Sequence, residues 1–210
     1  MKTRINYKKK TKKEFDKILE FVTFLNNFRL VERVQSVVGL DRKENDSEHS
    51  YIFTMYAWYV CNIFKLKLNV NKVIKYCLVH DLVETYAGDV GFWEKGELVN
   101  NKKEKEHEAY LKIKRQFSNF KELSKTILDY ENKKDKEAKF VYALDKTIDV
   151  VEIFLENGKC WKEYVPEATF DKHLQKKREK IKEVEPAKSI NEELHKRIQE
   201  IGILKFFNQL

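Results

Sequence analysis

Six glycines and two prolines in 210 residues leave this chain few places to turn sharply. An all-β fold needs a turn residue every dozen positions or fewer, so that class is excluded. The same scarcity excludes low-complexity disorder. What remains is a chain of helices, read here as one all-α domain. Hydrophobic residues make up 42%, enough at this length for one sizeable core but not for two. No run of 18 apolar residues occurs, so no membrane-spanning helix is expected. Met1–Lys13 is basic, but no apolar stretch with a small-residue cleavage site follows it. Cys61, Cys77 and Cys160 are odd in number and form no C-x-x-C pair, which fits a reducing cytoplasm.

The net charge of +8 invites a polyanion as partner. Its position weakens that reading. Residues 1–20 hold eight Lys or Arg against three Asp or Glu, so +5 lies there and +3 in all the rest. Residues 1–12 are therefore taken as a basic, solvated arm. No aromatic-interleaved basic groove follows it, which argues against nucleic acid.

Apolar residues at three- and four-residue spacing mark the helices. Phe15, Ile18, Leu19, Val22, Leu25 and Phe28 predict one over 13–28, and a loop follows over 37–46. Ser47 is a candidate cap for the next helix, which runs through Tyr51, Met55, Trp58 and Ile63. A strongly apolar helix over 71–86 should be central, with Gly88 stopping it. Residues 89–100 read as a loop. Further helices are expected over 101–118, 121–131, 134–157, 167–182 and 188–206. Asn157-Gly158 is a C-terminal stop, and Pro166 and Pro186 suit helix starts.

His80-Asp81 lies near the end of the most apolar helix. An ionised carboxylate there is costly unless paired, and a metal cation is an efficient partner. Glu84 follows three residues later and Asp89 just after Gly88. His49 stands in the first turn of the preceding helix. Asp145 interrupts the apolar stretch Phe140–Leu144, with Lys146 beside it as a neutralising alternative. His49, His80, Asp81 and Asp145 together offer two nitrogens and two oxygens. Such a set suits one divalent ion, Mn²⁺, Fe²⁺, Co²⁺, Ni²⁺ or Zn²⁺. Glu84, beside the metal rather than on it, is placed to handle a proton.

The order H…HD…D on successive helices resembles the HD-domain metal-dependent phosphohydrolase superfamily, a helical bundle. Three segments sharpen the likeness to its 5′-deoxynucleotidase branch. Glu44-Asn45-Asp46-Ser47-Glu48-His49-Ser50 resembles E-N/S-x-S/A-E-H-S. His80 to Asp89 resembles H-D-x-x-E-x-x-x-G-D, and Phe140 to Lys146 resembles the helix of the last ligand. The resemblance covers residues 13–160. Residues 161–210 carry no recognised motif and are taken as C-terminal helices of the same 13–210 domain.

The resemblance implies metal ligands at His49, His80, Asp81 and Asp145, with Mg²⁺ added to the possible ions. It implies catalytic roles for Glu84 and Asp89, and an upstream arginine, Arg33 or Arg42, that holds phosphate. An arginine fork suits phosphate because it bonds two oxygens at once. The branch often places a Trp beside the first arginine, where Val34 stands here. The implied activity is removal of the 5′-phosphate from (deoxy)nucleoside monophosphates by a homodimer. Two other functions compete. Related domains hydrolyse dNTPs, (p)ppGpp or cyclic and oligonucleotide phosphodiesters, but only His107, His173 and His195 remain here for a second metal. A non-catalytic nucleic-acid-binding protein has no need of four unneutralised groups in a core.

Overall fold

The computed structural model describes residues 7–89, 101–158 and 167–200, with side chains in the last stretch described from 174. The fold is all-α, as the turn-residue scarcity requires, apart from one short hairpin. Helix α1 (Tyr7–Phe28) leads to strands β1 (Glu32–Ser36) and β2 (Lys43–Asn45). Then come α2 (Asp46–Ile63), α3 (Val70–Val79) and the short α4 (Glu84–Ala87). After them lie α5 (Lys102–Gln116), α6 (Lys121–Glu131), α7 (Lys136–Leu155), α8 (Glu167–Ile181) and α9 (Ala187–Glu200).

Helix α7 is the axis of the molecule. Its Phe140, Val141, Ala143, Leu144, Ile148, Val150 and Ile153 are all buried. Removing a large aliphatic or aromatic side chain from water contributes about 1.5–3 kcal/mol. Helices α2, α3, α6, α8 and α9 all pack against it. A second core joins Phe24 and Phe28 of α1 to Val79, Leu82 and Val83, and to Ile113 and Ile127 of α5 and α6. The chemistry-bearing turn 80–84 therefore runs along the junction of two packed cores.

Four expectations are corrected. Helix α1 begins at Tyr7 rather than 13, so part of the lysine-rich arm is helical and exposed. The loop expected over 37–46 is partly a hairpin, since β1 pairs antiparallel with β2 (Glu32 with Asn45, Ser36 with Lys43). Its tip turns at Gly39, whose φ of 80° favours glycine. Asn45, not Ser47, caps α2. Its side chain accepts from the backbone N–H of Ser47 and Glu48, and Glu48 reaches back to the Asn45 N–H. Finally, the expected 71–86 helix ends at Val79. Tight bonds from Leu82 N–H to Val79 O and from Glu84 N–H to Asp81 O replace the regular helical spacing there. The apolar run reads as one helix because the break is made by hydrogen bonding and not by a breaker residue.

The stop after α7 is as expected. Asn157 adopts φ 51°, and Gly158 N–H donates to Ile153 O at 2.8 Å. The loop over 89–100 lies outside the described residues beyond Asp89, as do Pro166 and Cys160. Cys61 and Cys77 are free and buried. No described helix is long and apolar enough to cross a membrane.

Asp135 caps the start of α7 and so helps to place Asp145 two and a half turns later. Its carboxylate accepts from Ala138 N–H, Lys72 and Tyr76 Oη–H. Burial would raise its pKa, but these donors outweigh burial and hold it at about 2, below the ordinary 3.8. A depressed carboxyl stabilises the fold above its unfolded pKa and loses that effect as pH falls through the folded one. Asp135→Ala should therefore cost about 1–2 kcal/mol in urea unfolding at neutral pH. The gap between parent and variant should close as pH drops from about 4 towards 2.

Candidate metal centre

His49, His80 and Asp145 are brought together from α2, the end of α3 and α7, all buried. Asp81 joins them from the turn after α3. Its Oδ2 lies 3.0 Å from His80 Nε2 and 4.0 Å from His49 Nε2. Asp145 Oδ1 lies 3.6 Å from His49 Nε2 and 3.8 Å from His80 Nε2. Donors bound at about 2.1 Å to one ion lie about 3.0 Å apart at right angles and about 4.2 Å apart when opposed. The four separations fall in that interval.

The donor chemistry also fits. His80 Nδ1 is 2.8 Å from the Cys77 carbonyl, which can only accept, so Nδ1 carries the proton and Nε2 the lone pair. That Nε2 is buried and has no hydrogen-bond partner, and neither has His49 Nε2. A lone pair facing carboxylate oxygens is repelled unless a cation lies between them. The charges agree. Burial and Arg33 both oppose a proton on His49, yet Asp145, Glu44 and Asp81 outweigh them and raise its pKa to about 10. The centre of this cluster favours positive charge. Lys146, weighed from sequence as the neutraliser of Asp145, does pair with it, but through Oδ2 at 2.5 Å. Oδ1 is left to face the histidines. Phe53 closes the site from behind, its ring centroid 4.9 Å from that of His80.

The carboxylates around this centre are held differently. Asp46, Asp81 and Glu84 each bring an oxygen within 4.8 Å of the others. Burial, then the charges of Asp81, Asp89 and Asp46, push the Glu84 pKa well up. Burial and Asp81 raise Asp46 to about 7. Asp89, at the edge, is also raised, by burial first and against the pull of Arg33. Burial would raise Asp81, but Arg33 at 2.9 Å and the His80 ring at 3.0 Å, when that ring carries a second proton, outweigh it and hold it low. Glu84 Oε1 faces Lys102 Nζ at 3.7 Å, while its Oε2 is buried without a partner.

The two candidate arginines separate clearly. Arg33 Nη1 is 2.9 Å from Asp81 Oδ2 and 3.3 Å from Asp46 Oδ1. Arg42 instead forks onto Glu48, at 2.9 and 2.7 Å, on the exposed side of the hairpin. The structure thus places Arg33 beside the cluster and engages Arg42 elsewhere. Glu44, Asp46, Glu152, Lys102 and Lys146 also surround the site, and of these the sequence singles out only Lys146. Glu44 and Asp46 lie inside the quoted motif, where position alone could have flagged them. Lys102 and Glu152 carry no local signal. His107 is exposed, as expected for its charged helix, and the His173 side chain lies outside the described residues.

Residues 25–189 match the HD domain family. The chain belongs to that family, and its helical fold is the family's own. It is also 30% identical over 129 residues to the 5′-deoxynucleotidase hdd1 of Schizosaccharomyces pombe, covering 55% of this chain and 60% of that protein. The match thus spans less than two thirds of the relative's length. Among solved structures, a predicted metal-dependent phosphohydrolase from Magnetospirillum magnetotacticum superposes with a TM-score of 0.74. It is 23% identical, over 90% of this chain and 95% of that one. A Pyrococcus horikoshii protein gives 0.59 at 19% identity, over 86% and 98%. At these identities the two structures speak for the fold alone.

Proposed function

We propose that this HD-domain protein is a metal-dependent phosphohydrolase that removes the 5′-phosphate from nucleoside monophosphates, deoxyribonucleotides first. The observation that carries the reading is the buried N₂O₂ set, with unpartnered ring nitrogens, flanked by Arg33 on one side and Glu84 on the other. The name of the fission-yeast relative supports the monophosphate class.

His49, His80, Asp81 and Asp145 hold one divalent ion, drawn from Mn²⁺, Co²⁺, Fe²⁺, Ni²⁺, Zn²⁺ or Mg²⁺. When bound, such an ion polarises a phosphoryl oxygen and makes water more acidic. Arg33 neutralises charge on the non-bridging phosphate oxygens. Its contacts run through Nη1 and Nε, and among the described residues Nη2 takes no hydrogen bond. Glu84, and Asp89 at the mouth, move protons at their carboxyl oxygens, from the attacking water and to the leaving 5′-oxygen. Val34 offers no ring for base stacking, so small ratios between bases are expected.

The test is a panel of nucleotides assayed with Mn²⁺ and with Co²⁺. Inorganic phosphate released from 5′-monophosphates supports the reading. Pyrophosphate or triphosphate among the products would assign the site to another nucleotide class. We take residues 13–210 as one catalytic unit, with 1–12 outside it, acting in a reducing cytoplasm. The exposed apolar face of α2, formed by Tyr51, Ile52, Met55, Trp58, Tyr59 and Ile63, supports a homodimer.

A further inference from the structure

Three buried polar atoms meet at one point behind the metal centre. Glu44 Oε2 lies 3.5 Å from His49 Nδ1 and 3.5 Å from Arg33 Nε. All three atoms are sealed from solvent, and none has a hydrogen-bond partner. Glu44 is only 5% exposed, in the middle of β2. Leaving a buried polar atom unsatisfied is costly, so three at one place require a shared purpose. Here they are complementary. The oxygen can only accept, Arg33 Nε–H can only donate, and His49 Nδ1 must donate when Nε2 serves as a ligand. Closing by about half an ångström brings both pairs to ordinary hydrogen-bond length.

We infer that Glu44 is a positioning residue that ties the metal ligand His49 to the phosphate-facing Arg33 through one carboxylate oxygen. The inference rests on the reading of His49 as a ligand. The bond to His49 fixes the tautomer that presents the Nε2 lone pair and makes the ring more basic. Outer partners of ligating histidines commonly act this way. The bond to Arg33 aims the guanidinium from its other end, while Asp46 and Asp81 hold Nη1. One residue thus sets both metal affinity and phosphate affinity. Neither arginine contacts nor histidine contacts alone would couple the two.

Calorimetric titration of the full chain with Mn²⁺, joined to steady-state kinetics, tests this. Glu44→Gln keeps the shape and removes the charge. It should weaken Mn²⁺ binding about 10–100-fold and also raise KM for a nucleoside monophosphate. Glu44→Asp, which keeps an acceptor, should recover part of the metal affinity. Arg33→Met should raise KM, and its effect on Mn²⁺ binding, which runs only through the contact with Asp81, should be smaller than that of Glu44→Gln. Circular dichroism of the metal-free variants shows whether the fold is kept. If His49→Ala binds Mn²⁺ like the parent, the ligand reading fails and this inference with it. If His49→Ala loses the metal while Glu44→Gln binds it unchanged, the Glu44 inference alone is overturned. A fall in stoichiometry in Glu44→Gln, rather than in affinity, would make Glu44 a ligand and also overturn it.

Discussion

Replacing His80 with alanine is expected to strip the protein of its divalent ion and reduce phosphate release to background. His80 reaches the cluster from the last turn before the chain breaks out of α3, with Nδ1 committed to the Cys77 carbonyl. Only Nε2 remains to bind, and it stands 3.0 Å from Asp81 and 3.8 Å from Asp145. Loss of an outer partner costs a metal site about 10–100-fold in affinity, so loss of a direct ligand should exceed 100-fold or so. The variant also leaves a void beside Phe53, whose ring is in contact with His80. The readouts are therefore separated: elemental analysis after dialysis for the metal, and unfolding of the metal-free protein for the void. A variant that retains one equivalent of metal would remove His80 from the ligand set.

The second large effect is the opposite pattern. Glu84→Gln should retain the metal and lower kcat by about 10²–10⁴-fold, the usual contribution of a positioned acid or base. Glutamine keeps the size of the side chain and its contact with Lys102, but cannot pass a proton. Three other carboxylates, Asp46, Asp81 and Asp89, crowd Glu84. Burial and their charge push its pKa well up, so exchanging the carboxyl for a neutral amide removes no favourable charge and should not lower stability. Equal metal content with equal kcat would exclude Glu84 from the proton transfers. Loss of metal in Glu84→Gln would make it a ligand instead.

These expectations trace back unevenly to the sequence. The proposed ligands His80, Asp81 and Asp145 are legible because an imidazole or carboxylate inside an apolar run demands a partner, whereas His49, in the polar Ser47-Glu48-His49-Ser50, stands out only beside His80-Asp81. The helices were legible for the same reason of spacing, and α7 ends at Asn157-Gly158 as its residues say it should. The choice between Arg33 and Arg42 was not legible. Both precede His49, and only the hairpin pairing turns Arg33 towards Asp81 while Arg42 folds over Glu48. The hairpin itself was hidden by its length, since strands of five and three residues carry too little alternation to stand out. The break after Val79 was hidden because nothing in Cys77-Leu78-Val79-His80-Asp81-Leu82 interrupts a helix. Glu44 of β2 and Glu152 of α7 come within 4.8 Å of each other only in the folded chain, a proximity no local pattern encodes. The same holds for Lys102, brought to Glu84 by the packing of α5 on α4.

In the proposed reaction, water attacks phosphorus at this site and the 5′-oxygen leaves with a proton. Hydrolysis of a deoxynucleoside 5′-monophosphate in ¹⁸O-labelled water by the Mn²⁺-loaded protein tests it in one measurement. In that reaction the water oxygen bonds to phosphorus and the bond from phosphorus to the 5′-oxygen breaks. Mass spectrometry should find one ¹⁸O in each released phosphate and none in the nucleoside, with the Glu84→Gln protein releasing little of either. Label in the nucleoside, or no phosphate from any 5′-monophosphate, would contradict the account.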